Sequence, residues 1–353
     1  MFTRAKRSPL KREFPGGSAV RCRHLEENFA LPPGGFPHQP PVPTPPRVVQ
    51  RSMTRLAGYA AALLVIASCS KTATPDPAWA AEIEAWRARR VASLTSPDGW
   101  LTLVGLHWLE PGQNRVGSAE DAEISLDLEG VPPHAFTLEL TPDRRILLDP
   151  TPGHDLLVDG QPATPRPLAT DRGESPSLLT LGRLRMVVIQ REDRFALRVR
   201  DPNSPVRTNF KGLEYFPLDA RYRVEARLER YPTPKTVQVP VAQGPFQRML
   251  APGVVHFALH GRQLALQPLI SNPDDTSYFF VFRDATSGRE TYGAGRFLEA
   301  AAPPPGSDVL VLDFNRAYTP PCAFTPYATC PLPPPENVLP VPVRAGEKGY
   351  GEH

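Results

Sequence analysis

The densest run of side chains able to do chemistry is "FRDATSGRETYGAGRF", residues 282–297. Its Thr286-Ser287-Gly288 turn joins two strand-like segments that carry Arg283, Asp284, Arg289, Glu290, Tyr292 and Arg296. Asp313, Asn315 and Tyr318 follow in "DFNRAY". Arginine offers planar bidentate donors, and tyrosine and asparagine add neutral hydrogen-bonding groups. Arg289, Tyr292, Arg296, Asn315 and Tyr318 are therefore the candidate residues for binding a small polar or anionic ligand. Asp284 and Asp313 are the candidate catalytic pair, since two carboxylates can serve a hydrolase as general acid and base. Nothing in the spacing fixes their separation. Opposite charges on facing strands also pair structurally, each pair contributing about 0.2–1 kcal/mol. Binder and hydrolase both stay open, and the residues alone do not decide whether the chain is an enzyme.

Standard signatures are absent from the sequence. There is no G-x-S-x-G elbow, no H-E-x-x-H, no phosphate loop and no dinucleotide fingerprint. His256 and His260 share one side of a strand but stand about 13 Å apart along it at 3.3 Å per residue, so they cannot share one ion. The expectation is no metal and no cofactor. Cys322 and Cys330, in the proline-rich "CAFTPYATC", admit three readings: zinc ligands, a reactive thiolate or a disulfide. Zinc lacks partner ligands nearby, and a thiolate wants a helix N-terminus or a histidine beside it. A disulfide needs an oxidising compartment, so the choice depends on where the chain resides.

That question is answered at the other end of the chain. The sequence has 353 residues, 45 of them proline, and a formal charge of +3. Residues 1–52 hold ten prolines and an excess charge of +6, so residues 53–353 carry −3. The basic character belongs to the first 52 residues and gives no reason to expect a nucleic-acid partner. Met53 opens "MTRLAGYAAALLVIASCSK", in which Arg55 precedes a twelve-residue apolar run, Leu56 to Ala67. Such a run is short for a membrane-spanning helix and suits a signal peptide. It ends in Ile66-Ala67-Ser68-Cys69, which resembles the lipobox of bacterial lipoproteins, where the cysteine is acylated. The resemblance implies residues 53–68 as signal peptide and Cys69 as the lipidation site. It implies residues 1–52 as a disordered or mis-assigned start. Several acyl chains hold a domain firmly on a membrane. Ser70 stands where an aspartate would favour inner-membrane retention, so the expected address is the outer membrane, facing the periplasm. That compartment is oxidising, and a Cys322–Cys330 disulfide becomes the expectation. Its nine-residue loop would give roughly 2.5 kcal/mol by loop entropy.

The elements that position these residues read as follows. Residues 69–95 form a tether and one helix: Asp76 can cap it, Pro77 fits its first turn, and Trp79, Ile83, Trp86 and Leu94 recur at helical spacing. Both indoles are read as packing groups. Beyond residue 95 the pattern is strand-like. In "RFALRVRD", Phe195, Leu197 and Val199 face one way while Arg198 and Arg200 face the other. "RVEARLE", "VVHFALH", "YFFVFRD" and "DVLVLDF" follow suit, with Pro and Gly clusters as turns. The fold class is all-β, in two units, residues 96–200 and 201–353.

"NRVGSAEDAEISLDLEGVPPHAFTLEL", with "LLVDGQP" after it, resembles a forkhead-associated domain. Gly117, Ile124, Leu126, His134 and Gly160 fall at that family's places. The resemblance implies a β-sandwich, with His134 tying a corner by a hydrogen bond. Where the family reads phosphothreonine, this chain has Ser118, Val131 and Asp159, so the phosphopeptide function is not carried over. "GLEYFPLDARYRVEARLERY", "FRDATSGRETYGAGRFLEA" and the cysteine-containing tail resemble a bacterial family, domain of unknown function 1684. With the opening "DGWLTLVGLHWLEPGQNRVGS", the likeness spans about residues 96–350. It carries no activity over, and the strand pattern of residues 201–353 reads as a second β-barrel or sandwich. The expected partners are the membrane, through the lipid, and a small polar ligand or an envelope protein.

Overall fold

The computed structural model describes residues 76–351. The signal segment and Cys69 lie outside the described residues. The helix α1 (Pro77–Thr95) starts as its sequence dictates: Asp76 accepts the Ala78 N–H at 2.8 Å and proline occupies the first turn. Its buried residues are Trp79, Ile83 and Leu94. Trp86 is only half-buried.

The first β unit is a sandwich of two sheets. Its strands are β1 (Leu103–Trp108), β2 (Gly112–Gly117), β3 (Ile124–Ser125), β4 (Phe136–Leu140) and β5 (Ile146–Pro150). Then follow the short β6 (Leu156–Val158), β7 (Gln161–Pro162), β8 (Arg166–Leu168) and β9 (Leu179–Leu181), and the longer β10 (Leu184–Arg191) and β11 (Arg194–Arg200). One sheet runs β1-β11-β10-β9-β6-β7, the other β3-β2-β4-β5-β8. Period-two alternation sends Val116, Phe136, Leu138, Leu148, Met186, Val188, Leu197 and Val199 into the shared core. This is the two-sheet sandwich that the forkhead-associated resemblance implies. Gly117 is required at its turn, because a Cβ there would meet the Pro133 carbonyl oxygen at 1.9 Å. His134 departs from expectation. It is exposed and has no hydrogen-bond partner among the described residues, since the corner is held by backbone bonds from Ser118 and Ala119 to Pro132 and Pro133.

After a one-turn helix, Pro205–Thr208, the second unit forms. Its strands are β12 (Arg223–Val241), β13 (Gly244–Leu259), β14 (Arg262–Leu266), β15 (Ser277–Phe282), β16 (Arg296–Ala301) and β17 (Val309–Asp313). A four-stranded sheet, β14-β13-β12-β17, packs on the β15-β16 ladder. Leu228, Val255, Phe257, Phe280, Phe282, Leu298, Leu312 and Phe314 fill the core between them. The β12–β13 ladder shifts register between Arg230 and Lys235, where Pro232 and Pro234 have no N–H to donate. Beyond that shift its far half covers a smaller cluster of Val239, Leu269, Val281, Phe297, Ala328 and Cys330.

The units and the helix are laced together by polar bonds. Trp79 donates its indole N–H to Asp313 at 2.7 Å, Arg248 pairs with Glu192, and Arg316 pairs with Glu82.

Candidate functional site

Alternation explains where the residues of the polar hairpin go. On β16, Arg296, Leu298 and Ala300 face the core, and Phe297 and Glu299 face the other way. Arg296 is therefore fully buried. Its Nη2 donates to Asp284 Oδ2 at 2.9 Å and to the Val343 carbonyl at 2.7 Å, and its Nη1 donates to the carbonyls of Ala345 and Glu347. Asp284 accepts in addition from the Thr286 N–H and hydroxyl and from the Val343 N–H. Burial pulls the Arg296 pKa down, and Asp284 pushes it back. The pair clamps the C-terminal strap, residues 343–347, against the sheet. The strap's turn needs Gly346 (φ +77°), where a Cβ would meet Ala317 O at 2.3 Å.

Asp313 and Asn315 are likewise structural. Asp313 accepts the Trp79 indole and both the backbone and side-chain N–H groups of Asn315. Asn315 bonds the backbone of Asp219 through both ends of its amide. Arg289 is exposed and donates to the Ala285 carbonyl. Tyr292 donates to the Cys322 carbonyl at 3.3 Å. Asp284 and Asp313 thus belong to separate internal hydrogen-bond networks and share no partner. Cys322 and Cys330 differ from the expected staple. Both are free thiols, the Cys330 sulfur accepting a hydrogen bond from the Cys322 N–H at 3.2 Å instead of sharing a covalent bond.

Of the predicted binding residues, Tyr318 lines a cleft. The outer face of the β15–β16 ladder makes the floor, because Phe279 pairs across strands with Glu299, and Phe297 bridges to Tyr318 through two backbone bonds of 2.8 Å. Helix α1 makes the opposite wall with Trp86, Arg89 and Arg90, which three- and four-residue spacing puts on one face. Trp100 and Pro321 complete a cleft of about 410 Å³. Phe279 meets Phe297 edge-on at 4.8 Å, Phe297 meets Tyr318 at 5.7 Å, and Trp86 lies 6.4 Å from Tyr318.

Tyr318, Glu299 and Arg90 are fixed in the cleft. Tyr318 donates to Glu299 at 2.8 Å, and burial pushes its pKa well up, so it stays a neutral donor. Arg90 lies over the Tyr318 ring at 4.7 Å, its guanidinium held by Glu347 at 3.0 Å and by the Thr319 carbonyl at 2.7 Å. Burial raises the Glu347 pKa, and the Arg90 charge opposes it. Arg89 is exposed at the cleft and has neither ion pair nor hydrogen bond among the described residues. Among these residues no three His, Cys, Asp or Glu side chains gather as metal ligands would.

The sequence reading missed Trp86, Arg89, Arg90, Trp100, Phe279, Phe297 and Glu299 as site residues. One signal was available. Trp86 shares the helical stripe of Trp79 and Ile83, yet a long apolar side chain there also served equally well as core.

Sandwich, second β unit and aromatic cleft define an all-β protein with a small-molecule-sized groove between its N-terminal helix and a β-ladder. Residues 208–348 match the family described as "Protein of unknown function (DUF1684)", and the chain belongs to that family. An uncharacterised protein of Haloarcula marismortui, solved by solution NMR, is 37% identical, covering 42% of this chain and 81% of its own, with a TM-score of 0.36. The FHA domain of FhaA, solved with the intracellular domain of another protein, is 19% identical over 27% of this chain and 97% of its own, TM-score 0.20. The N-terminal FHA domain of S. cerevisiae Rad53p, bound to a phosphothreonine peptide, is 14% identical over 31% of this chain and 77% of its own, TM-score 0.17. No curated protein matches the chain.

Proposed function

We propose that the chain is a lipid-anchored envelope protein that holds a small polar ligand in the cleft between α1 and the β15–β16 ladder. The observation that carries this reading is Arg89, a cation with no ion pair or hydrogen bond among the described residues, set on a cleft walled by five aromatic rings. The matching ligand has a flat face to stack on Trp86 and Tyr318 and an anionic group to take the Arg89 guanidinium bidentately. Tyr318 and Glu299 offer hydrogen-bond groups for a ring hydroxyl.

A panel of small aromatic and sugar carboxylates and phosphates, titrated while the fluorescence of Trp86 and Trp100 is followed, tests it. Arg89→Ala is expected to weaken the best binder about ten- to hundred-fold, from about 1.5–3 kcal/mol for a charge-assisted hydrogen bond. Trp86→Ala should weaken it through lost stacking, with the thermal midpoint of the free protein nearly unchanged, since Trp86 is only half-buried. A panel without binders, or binding indifferent to both substitutions, overturns the proposal.

The anchor rests on the lipobox-like Ile66-Ala67-Ser68-Cys69. No helix among the described residues is long and apolar enough to cross a membrane. In a bacterial host grown with a labelled fatty acid, the chain is expected to carry the label in the outer-membrane fraction. Cys69→Ser should abolish the label; label retained in that variant excludes this anchor.

A further inference from the structure

A buried arginine with no carboxylate partner among the described residues, its guanidinium 5.5 Å over the Trp100 ring, stands where the two β units meet. Arg198, on β11, is 5% exposed, and its Nε has no hydrogen-bond partner among the described residues. No carboxylate lies within ion-pair distance of it among the described residues, because Asp171 pairs with Arg191 instead. Its hydrogen bond there runs from Nη2 to the Thr329 hydroxyl at 3.4 Å, one residue before Cys330. Burial, with repulsion from Arg191 and Arg200, brings its pKa down to about 10. An isolated buried cation is costly unless an anion is at hand. The neighbouring group able to supply one is the cysteine pair, whose Cys330 interacts electrostatically with Arg198.

The pair is built asymmetrically. The Cys322 N–H donates to the Cys330 sulfur at 3.2 Å, so the side chains are adjacent without backbone movement. Cys322 is half-buried, and Cys330 is 4% exposed. Their loop is pinned at its start by the Phe324 and Thr325 N–H groups bonding to Pro321. Its end is pinned to the β12–β13 hairpin by bonds between Ala242 and Cys330 and between Leu332 and Pro240. Tyr292 hydrogen-bonds Cys322 at both its carbonyl and its side chain. Hydrogen bonding from Cys330, then from Tyr292, draws the Cys322 pKa down against its burial. The same contact with Cys322, together with burial, drives that of Cys330 up.

We propose that Cys322 and Cys330 are a dithiol that exchanges with small disulfides, Cys322 attacking and Cys330 resolving. The Cys322 thiolate attacks one sulfur of a low-molecular-weight disulfide; its S–S bond breaks, a mixed disulfide forms and one thiolate leaves. Cys330 gives up its proton and attacks the Cys322 sulfur, expelling the second thiolate. Two electrons pass from the cysteines to the small disulfide, and the two cysteine protons end on the two released thiols. Arg198 and Tyr292 are positioning residues that hold the charge at the pair.

Glutathione disulfide is the probe, applied to the folded chain after reduction and desalting. Acid quenching, alkylation and mapping of the tryptic peptide 317–344, which carries both cysteines, give the readout. The unsubstituted chain is expected to lose two hydrogens from that peptide without keeping glutathione. Cys330→Ser should accumulate a glutathione adduct on Cys322. Cys322→Ser should react about ten-fold or more slowly, and Arg198→Met should slow the resolving attack by Cys330, so that the glutathione adduct on Cys322 persists several-fold longer than in the unsubstituted chain. Circular dichroism of each variant certifies folding, and Cys330→Ala repeats the trapping if Cys330→Ser fails it. A pair that stays reduced, that adds glutathione at Cys330 first, or that reductant opens only in denaturant overturns the proposal.

Discussion

Replacing Asp284 with alanine is expected to cost about 3–5 kcal/mol, because it strands the guanidinium of Arg296 in the core without its carboxylate. Both side chains are essentially inaccessible, so water cannot take over the missing bonds. The loss should spread beyond the pair. Asp284 also accepts the Val343 N–H, and Arg296 donates to the strap carbonyls at 343, 345 and 347. Glu347, on that strap, holds Arg90 over Tyr318 in the cleft. A freed strap therefore loosens the cleft wall as well as the fold. Chemical denaturation measures the first effect, and proteolysis near residue 344 the second. The double variant Asp284→Ala/Arg296→Met should recover much of the loss, since an apolar replacement of a buried pair is often neutral or better. A single variant within about 1 kcal/mol of the parent would show that the clamp contributes only what an ordinary surface pair does.

Phe314→Ala is expected to destabilise by a similar amount, about 3–5 kcal/mol, as aromatic-to-alanine changes in closed cores do. Phe314 is fully buried, and its ring lies 5.6 Å from both Phe257 of β13 and Phe282 of β15. It thus joins the two layers of the second unit. The rigid ladder around it has little room to collapse into the cavity left behind. Its neighbours Asp313 and Asn315 fasten α1 and the Asp219 turn, so the helix wall of the cleft should loosen with it. Thermal unfolding followed at the tryptophans reads both effects. Phe314→Leu, which keeps most of the volume, should fall well short of the alanine variant. Equal losses for leucine and alanine would argue against a packing origin.

The identity of the elements was legible along the chain. The Asp76-Pro77 start, the helical recurrence of Trp79, Ile83 and Leu94, and the alternation in "RFALRVRD" and "RVEARLE" are local patterns of period 3.6 or 2. Such patterns say which side chains share a face. They do not say what covers the other face. Arg198 shows the difference. It alternates out of the sandwich core as expected, yet it is buried because the second unit lies against that side of β11. The expected ligand cluster failed for the same reason. Arg296 and Phe297 are neighbours in sequence and opposite in space, so the arginine went to the core and the phenylalanine to the cleft.

What the chain determined by itself is a helix, two β units, the lipobox-like segment and a cysteine pair close enough in sequence to meet. The tertiary structure alone decided that Asp284, Arg296, Asp313 and Asn315 are internal fastenings. It alone also gathered Trp86, Arg89, Phe279, Phe297 and Tyr318, scattered over more than two hundred residues, onto one cleft. Periodicity fixes direction within an element. Partners across elements follow only from how those elements pack, because a polar side chain is equally suited to close a buried network or to await a ligand until its surroundings are set.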